Sequence, residues 1–247
     1  MKVTFLGTRG NIDVRSSRHR RHTATLVSYR SAHVMIDCGA DWLRVVNRIN
    51  PSAIVVTHAH PDHVDGLRHG AVCPVYAPAA VWPAITRWPI REHHRLRLRS
   101  PTDICGILFE AFPLDHSVIA PAVGYRVTAG EVSVFYAPDV LRIRHARTAL
   151  DGIGVYIGDG ATVSRPIVRI ERQRKVAVGH APITTQLDWC ANAGVRRAIF
   201  THCGRAIVAV PISVERQISE LGQARGVDTR IAHDGLQVLV RAMKGPP

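Results

Sequence analysis

The chain has 247 residues, 46% of them hydrophobic and 21% charged. That apolar content can bury a large core in one compact domain over 1–247, and the lack of polar low-complexity tracts excludes a disordered chain. The 32 Lys and Arg outnumber the 19 Asp and Glu, for a net charge of +13. This balance favours anionic partners such as nucleic acid or phosphorylated metabolites, although a genomic bias toward arginine would produce it too.

Cys38, Cys73, Cys105, Cys190 and Cys203 form no C-x-x-C pair, which argues against a disulfide framework and for a reducing compartment. The apolar run at the start is too short for a signal peptide, and no segment reaches the length of a membrane span. A cytoplasmic protein without a membrane partner is expected.

Along the chain, 3–6, 24–29 and 33–36 read as strands, and 42–49 has helical spacing ended by Asn50-Pro51. A short apolar strand over 53–57 feeds a His-rich segment, followed by a helix start over 63–69, a strand over 74–76 and a helix over 79–86. Alternating apolar and basic residues over 95–99 suggest an edge strand. Strands follow over 107–114, 122–128 and 132–136, with Ala129-Gly130 as a hairpin turn, and another over 153–157. A helix over 184–193, a strand over 197–201 and a long helix over 212–224 precede closing strands over 230–232 and 236–240. Two sheet layers flanked by helices are the expected architecture. Two stretches are strongly basic, 15–22 with Arg15, Arg18, Arg20 and Arg21, and 87–99. Each is either a phosphate-binding loop or a solvated charged one.

Residues 58–63 read His-Ala-His-Pro-Asp-His. Imidazole nitrogen and carboxylate oxygen bind zinc-like ions at about 2.0–2.2 Å, so such ligands must converge. In an extended segment His58 and His60 point the same way, whereas Asp62 and His63 lie in the following turn, a split that suggests two metal sites. His116, Asp139 and His202 each stand where an apolar strand gives way to a loop. One such histidine would mean little, but three strand-end ligands after the motif form a pattern.

The ordered set His58-x-His60-x-Asp62-His63, His116, Asp139, His202 resembles the metallo-β-lactamase superfamily. The similarity runs from Leu6-Gly7-Thr8 through Ile36-Asp37-Cys38-Gly39 to Ala232-His233-Asp234-Gly235. The resemblance implies an α/β (α+β) four-layer αββα sandwich and two divalent cations, zinc expected and manganese or iron also suited to these ligands. By this likeness His58, His60 and His116 hold the first cation, Asp62, His63 and His202 the second, and Asp139 bridges both. Asp37 would support the ligand loop, or simply cap a turn. Superfamily likeness also makes a homodimer reasonable.

Gly179-His180-Ala181-Pro182 is similar to the accessory-histidine segment of the tRNase Z and phosphoribosyl cyclic phosphodiesterase branch, unless His180 serves only as a helix-start hydrogen-bonder. The chain departs from both. His-Ala-Pro lacks the hydroxyls of the tRNase Z His-Ser-Thr. Only 23 residues take the chain from His116 to Asp139, which leaves no room for a tRNA-gripping arm, and no cysteine precedes Cys38 for a structural zinc. The expected activity is hydrolysis of a phosphate diester, in a small molecule or nucleic acid, by a water whose pKa two cations lower toward neutrality. Asp62 and Asp139 would orient that water, and His180 would protonate the leaving oxygen. His233 and the arginines Arg18, Arg20 and Arg21 are further candidates near the substrate. The competing readings are a lactone or thioester hydrolase with the same metals, and a nucleic-acid-binding protein stabilised by metal.

Overall fold

The computed structural model describes residues 1–172 and 175–242. Alternation of apolar side chains across each strand builds two packed sheets. In Val132–Tyr136, Val134 and Tyr136 face the space between the sheets, while Phe135 faces outward. In Ala32–Ile36, Val34 and Ile36 face inward and Met35 outward. A strand buried on both faces needs a cover on each side.

On one outer face that cover is the helix Ile183–Asn192, whose Ile183, Leu187 and Cys190 recur at helical spacing, together with Ile218 of the helix Pro211–Gln223. On the other it is a set of short turns carrying Trp42, Val46, Leu67, Trp82 and Ile85. The result is the four-layer αββα sandwich.

The first sheet runs in the order Gln237–Leu239, Lys2–Gly7, Ala24–Tyr29, Ala32–Ile36, Ala53–Val55, Val75–Pro78, His93–Leu96, and its last four strands are parallel. The second runs Arg142–Ile143, Ile107–Asp115, Ala122–Ala129, Val132–Tyr136, Val155–Asp159, Arg197–Thr201, Asp228–Ile231, with Thr102–Ile104 paired to Ile107–Asp115. Its last four ordered strands are also parallel. Carboxyl ends of parallel strands are where such sheets present ligands. Here they deliver Asp37, the segment 57–63, Asp139, Asp159 and His202, and His116 follows the neighbouring antiparallel strand. Among the described residues no helix is long and apolar enough to cross a membrane.

Several elements differ from the periodicity. The single helix expected over 42–49 is instead a 3-10 turn at Ala40–Trp42 and one helical turn at Val46–Ile49. Arg44 between them adopts φ 63°, which no continuous helix allows. The helix expected from His63 starts earlier, at Pro61, whose ring suits a first helical position, and ends as a 3-10 turn at Asp65–Leu67. The basic edge strand lies at His93–Leu96 and stops before Arg99, at φ 58°. The hairpin turn falls on Gly130 and Glu131, with Gly130 supplying φ 60°. Unanticipated are the helix Ala146–Leu150 and a separate hairpin of Ile167–Glu171 with Val176–His180.

The ligand loops are pressed together by backbone bonds. Cys38 N donates to His63 O at 2.6 Å, and Gly66 N to Cys38 O at 2.9 Å. A Cβ on Gly39 would collide with the carbonyl of Asp62 and with the His22 side chain, both fixed in the fold. Gly39→Ala is expected to cost about 1–3 kcal/mol of stability by overpacking, measurable by urea denaturation.

Candidate metal centre

Asp37, fully buried, accepts from Thr57 N at 2.8 Å, from Thr57 Oγ1, and from His63 Nδ1 at 2.8 Å. Because a carboxylate only accepts, Nδ1 of His63 carries the proton and its Nε2 is left for the site. Thr57 Oγ1 spends its hydrogen on Asp37, so it accepts from His58 Nδ1 at 3.0 Å. Nε2 of His58 therefore presents a lone pair. His116 Nδ1 donates to the carbonyl of Gly179 at 3.0 Å, which frees its Nε2 in the same way. These two Nε2 atoms lie 3.0 and 3.3 Å from Nδ1 of His60.

Three imidazoles thus converge. Burial, the largest influence, holds His58 well below its usual pKa, lowers His60 to about 4, and lowers His116. All three are neutral at pH 7, the form that binds a cation.

Beside them stand Asp62, His63, Asp139 and His202, with potential ligand atoms within 4.8 Å of one another. His202 Nε2 donates to Asp62 Oδ2 at 3.0 Å. Asp139 reaches both halves. Its Oδ2 lies 2.6 Å from His63 Nε2 and 3.4 Å from His58 Nε2, and its Oδ1 lies 3.2 Å from His202 Nδ1. Burial works against charge here as well, but opposite charges outweigh it. His63 is held well above its usual range by Asp37, Asp62 and Asp139, and His202 is raised to about 10 by Asp139 and Asp62. Asp62 and Asp139 are held well below the usual carboxylate range by the histidines around them.

Nε2 of His63, Oδ1 of Asp139 and Nδ1 of His202 are buried and crowd together without a well-aligned hydrogen bond. Ligand atoms facing one locus, in a His/Asp set where the tautomers of His58, His63 and His116 are fixed, fit a bound divalent cation. Such a cation would displace the protons that His63 and His202 otherwise hold.

His180 joins this cluster from an unexpected direction. It does not start a helix but closes the strand Val176–His180. Its Nδ1 donates to Asp159 Oδ2 at 2.7 Å and lies 3.3 Å from Asp139 Oδ1, and the side chain keeps 19% exposure. Burial lowers its pKa, but Asp159 and Asp139 raise it further, to a net elevation. Asp159 itself is fully buried and also accepts from Val140 N at 3.0 Å and Ala161 N at 2.8 Å. It was not anticipated, although Ile157-Gly158-Asp159-Gly160 is an apolar strand ending in an acid, the signal that marks Asp139.

The remaining candidates lie elsewhere. His233 bonds the Asp234 carbonyl at 3.1 Å and belongs to none of the ligand groups. Arg18 pairs with Glu215 at 2.6 Å. Arg20 and Arg21 line a separate cleft of about 410 Å³ with Arg15, Asp41 and Asp234, and Arg21 stacks over Trp42. The Asp234 carboxylate receives the Arg20 and Arg21 amides, which ties this loop to the late turn.

The sequence model described as the beta-lactamase superfamily domain matches residues 32–203. The chain belongs to the metallo-β-lactamase superfamily. This superfamily chain is 25% identical to the ribonuclease Z of Methanopyrus kandleri, over 97% of its own length and 98% of that protein's. The crystal structure of the metallo-β-lactamase fold protein YhfI from Bacillus subtilis matches with a TM-score of 0.73 at 14% identity, over 96% of this chain and 98% of that one. A diphosphatase of the PhnP family matches with a TM-score of 0.70 at 20% identity, over 97% and 98%. Family and donor set together make this superfamily member a metal-dependent hydrolase.

Because Asp37 orients His63 without being placed as a ligand, Asp37→Asn should lower divalent-metal affinity about 10–100-fold, read by competition with a chromogenic chelator.

Proposed function

We propose that this hydrolase cleaves phosphate diesters, in nucleic acid or a phosphate-bearing small molecule, with two divalent cations. Zinc is the first expectation and manganese or iron the alternatives. His58, His60 and His116 would hold one cation, Asp62, His63 and His202 the other, with Asp139 between them. Of the three donor groups, His58/His60/His116 and Asp62/His63/Asp139/His202 share no residue, and the third, Asp139/Asp159/His180/His202, overlaps the second, so two cations with Asp139 facing both halves fit the donors best. When bound, the cations supply Lewis acidity and an ionised water at neutral pH. Asp62 and Asp139 orient reactants at the seam between the two groups.

The observation that carries the reading is the Asp159–His180 pair against this cluster. Asp159 fixes Nδ1–H of His180 and favours its protonated form, leaving Nε2–H for a partner outside the protein. An imidazolium there can hydrogen-bond a phosphoryl oxygen or give its proton to the departing oxygen. A cleaved diester needs both kinds of help, because negative charge grows on both oxygens. Relatives named ribonuclease Z and a structural neighbour named a diphosphatase support phosphorus over carbonyl chemistry.

A panel of bis(4-nitrophenyl) phosphate, short RNA and DNA, lactones and thioesters tests the class, with diesters expected to be cleaved fastest. His180→Ala should reduce diester turnover at least about 100-fold while metal content is retained; an unchanged rate would remove His180 from the mechanism. Metal analysis should find two equivalents per chain, and one in His116→Ala, which dismantles a single donor group.

A further inference from the structure

A groove of about 970 Å³ opens beside His116, at the upper end of the roughly 300–1,000 Å³ usual for small-molecule sites. It has room for much more than the scissile phosphate. Apolar residues such as Leu114 and Val123 form part of its lining, and three arginines, Arg95, Arg97 and Arg144, supply its charge. The acid that lines it, Asp115, is already neutralised by Arg142 Nε at 2.6 Å and Arg144 Nε at 2.7 Å.

Arg95 and Arg97 are exposed, and among the described residues neither side chain makes a hydrogen bond or ion pair. Two positions apart on an extended segment, they share a side. By contrast, Arg99, the next basic residue, pairs with Glu110 at 3.5 Å, stacks on Phe112 and does not line the groove. Arg144 is anchored through Nε, so its terminal amino groups are held in place without a carboxylate of their own. Uncompensated guanidinium groups lining a concavity focus positive potential into it, and their planar forks match phosphate oxygens.

The scissile diester sits at the ligand cluster, so these arginines have a different anion to meet. We propose that Arg95 and Arg97, assisted by Arg144, form a subsite for a second phosphate carried by the same substrate. The enzyme then prefers diesters with an adjoining phosphate over diesters flanked by neutral groups. This rests on the diester-hydrolase reading, and the experiment separates the two.

The metal-loaded protein is assayed on a dinucleotide with one internal diester, and on the same dinucleotide with an added terminal phosphate. The phosphorylated form should have at least about tenfold higher kcat/KM, mainly through KM, as a charge-assisted contact provides. Arg95→Ala/Arg97→Ala should bring that ratio near one, and Arg95→Lys/Arg97→Lys should restore part of it. A general loss of folding would slow both substrates alike and leave the ratio intact. A gain shared by an RNA decamer identifies the phosphate as the next one along a strand. A gain confined to the terminally phosphorylated dinucleotide identifies it as a monoester. Diester hydrolysis with no preference, or a preference that survives the double substitution while the rate on the unphosphorylated dinucleotide is unchanged, overturns the subsite alone; no diester hydrolysis by the native protein overturns both readings.

Discussion

One buried carboxylate sets the state of the centre. Asp37 adopts φ 60°, a left-handed conformation that costs a non-glycine residue energy, and its oxygens are spent on Thr57 and His63. Through His63 it determines which ring nitrogen faces the second donor group. Through the Thr57 hydroxyl it determines the same for His58 in the first. Both ends of the motif 57–63 are thereby held by a residue from the neighbouring parallel strand. Without that anchor the tautomers of His58 and His63 would be undefined.

The centre is also an electrostatic compromise. Removing three imidazoles from water makes them neutral, whereas four residues beside them keep opposite charges close together. For those four the opposite charges outweigh the desolvation that burial imposes. Nε2 of His63, Oδ1 of Asp139 and Nδ1 of His202 still lack a well-aligned hydrogen bond, a cost that a divalent cation would offset. The donors thus stand assembled in advance of a cation.

Much of this was legible in the residues. Strand-forming runs of alternating or continuous apolar residues located most of both sheets, and the same runs marked where candidate ligands such as His116, Asp139 and His202 emerge. What escaped was governed by tertiary context. The strands Ile167–Glu171 and Val176–His180 lack a clear two-residue alternation because among the described residues they form a separate two-stranded sheet that leaves Ile167, Val168 and Ile170 exposed. Asp159 was missed because an acid at a strand end usually reads as a turn residue. The helix over 42–49 failed on one positive φ at Arg44, which no periodicity encodes. The arginines of 15–22 looked like substrate contacts, yet Arg18 is used by Glu215, and Arg20 and Arg21 serve a different cleft.

The hairpin Ile167–His180 has a consequence for how such an enzyme diversifies. Its last residues are fastened to the centre. Gly179 N donates to His116 O at 2.8 Å, and Gly179 O receives the His116 ring. Its first strand, Ile167–Glu171, by contrast, belongs to none of the donor groups among the described residues. Exchanges at its exposed Ile167, Val168 and Ile170 can therefore change what the protein grips while the chemistry stays in register, which makes this strand a natural place for descendants of this chain to acquire new selectivity without relearning catalysis.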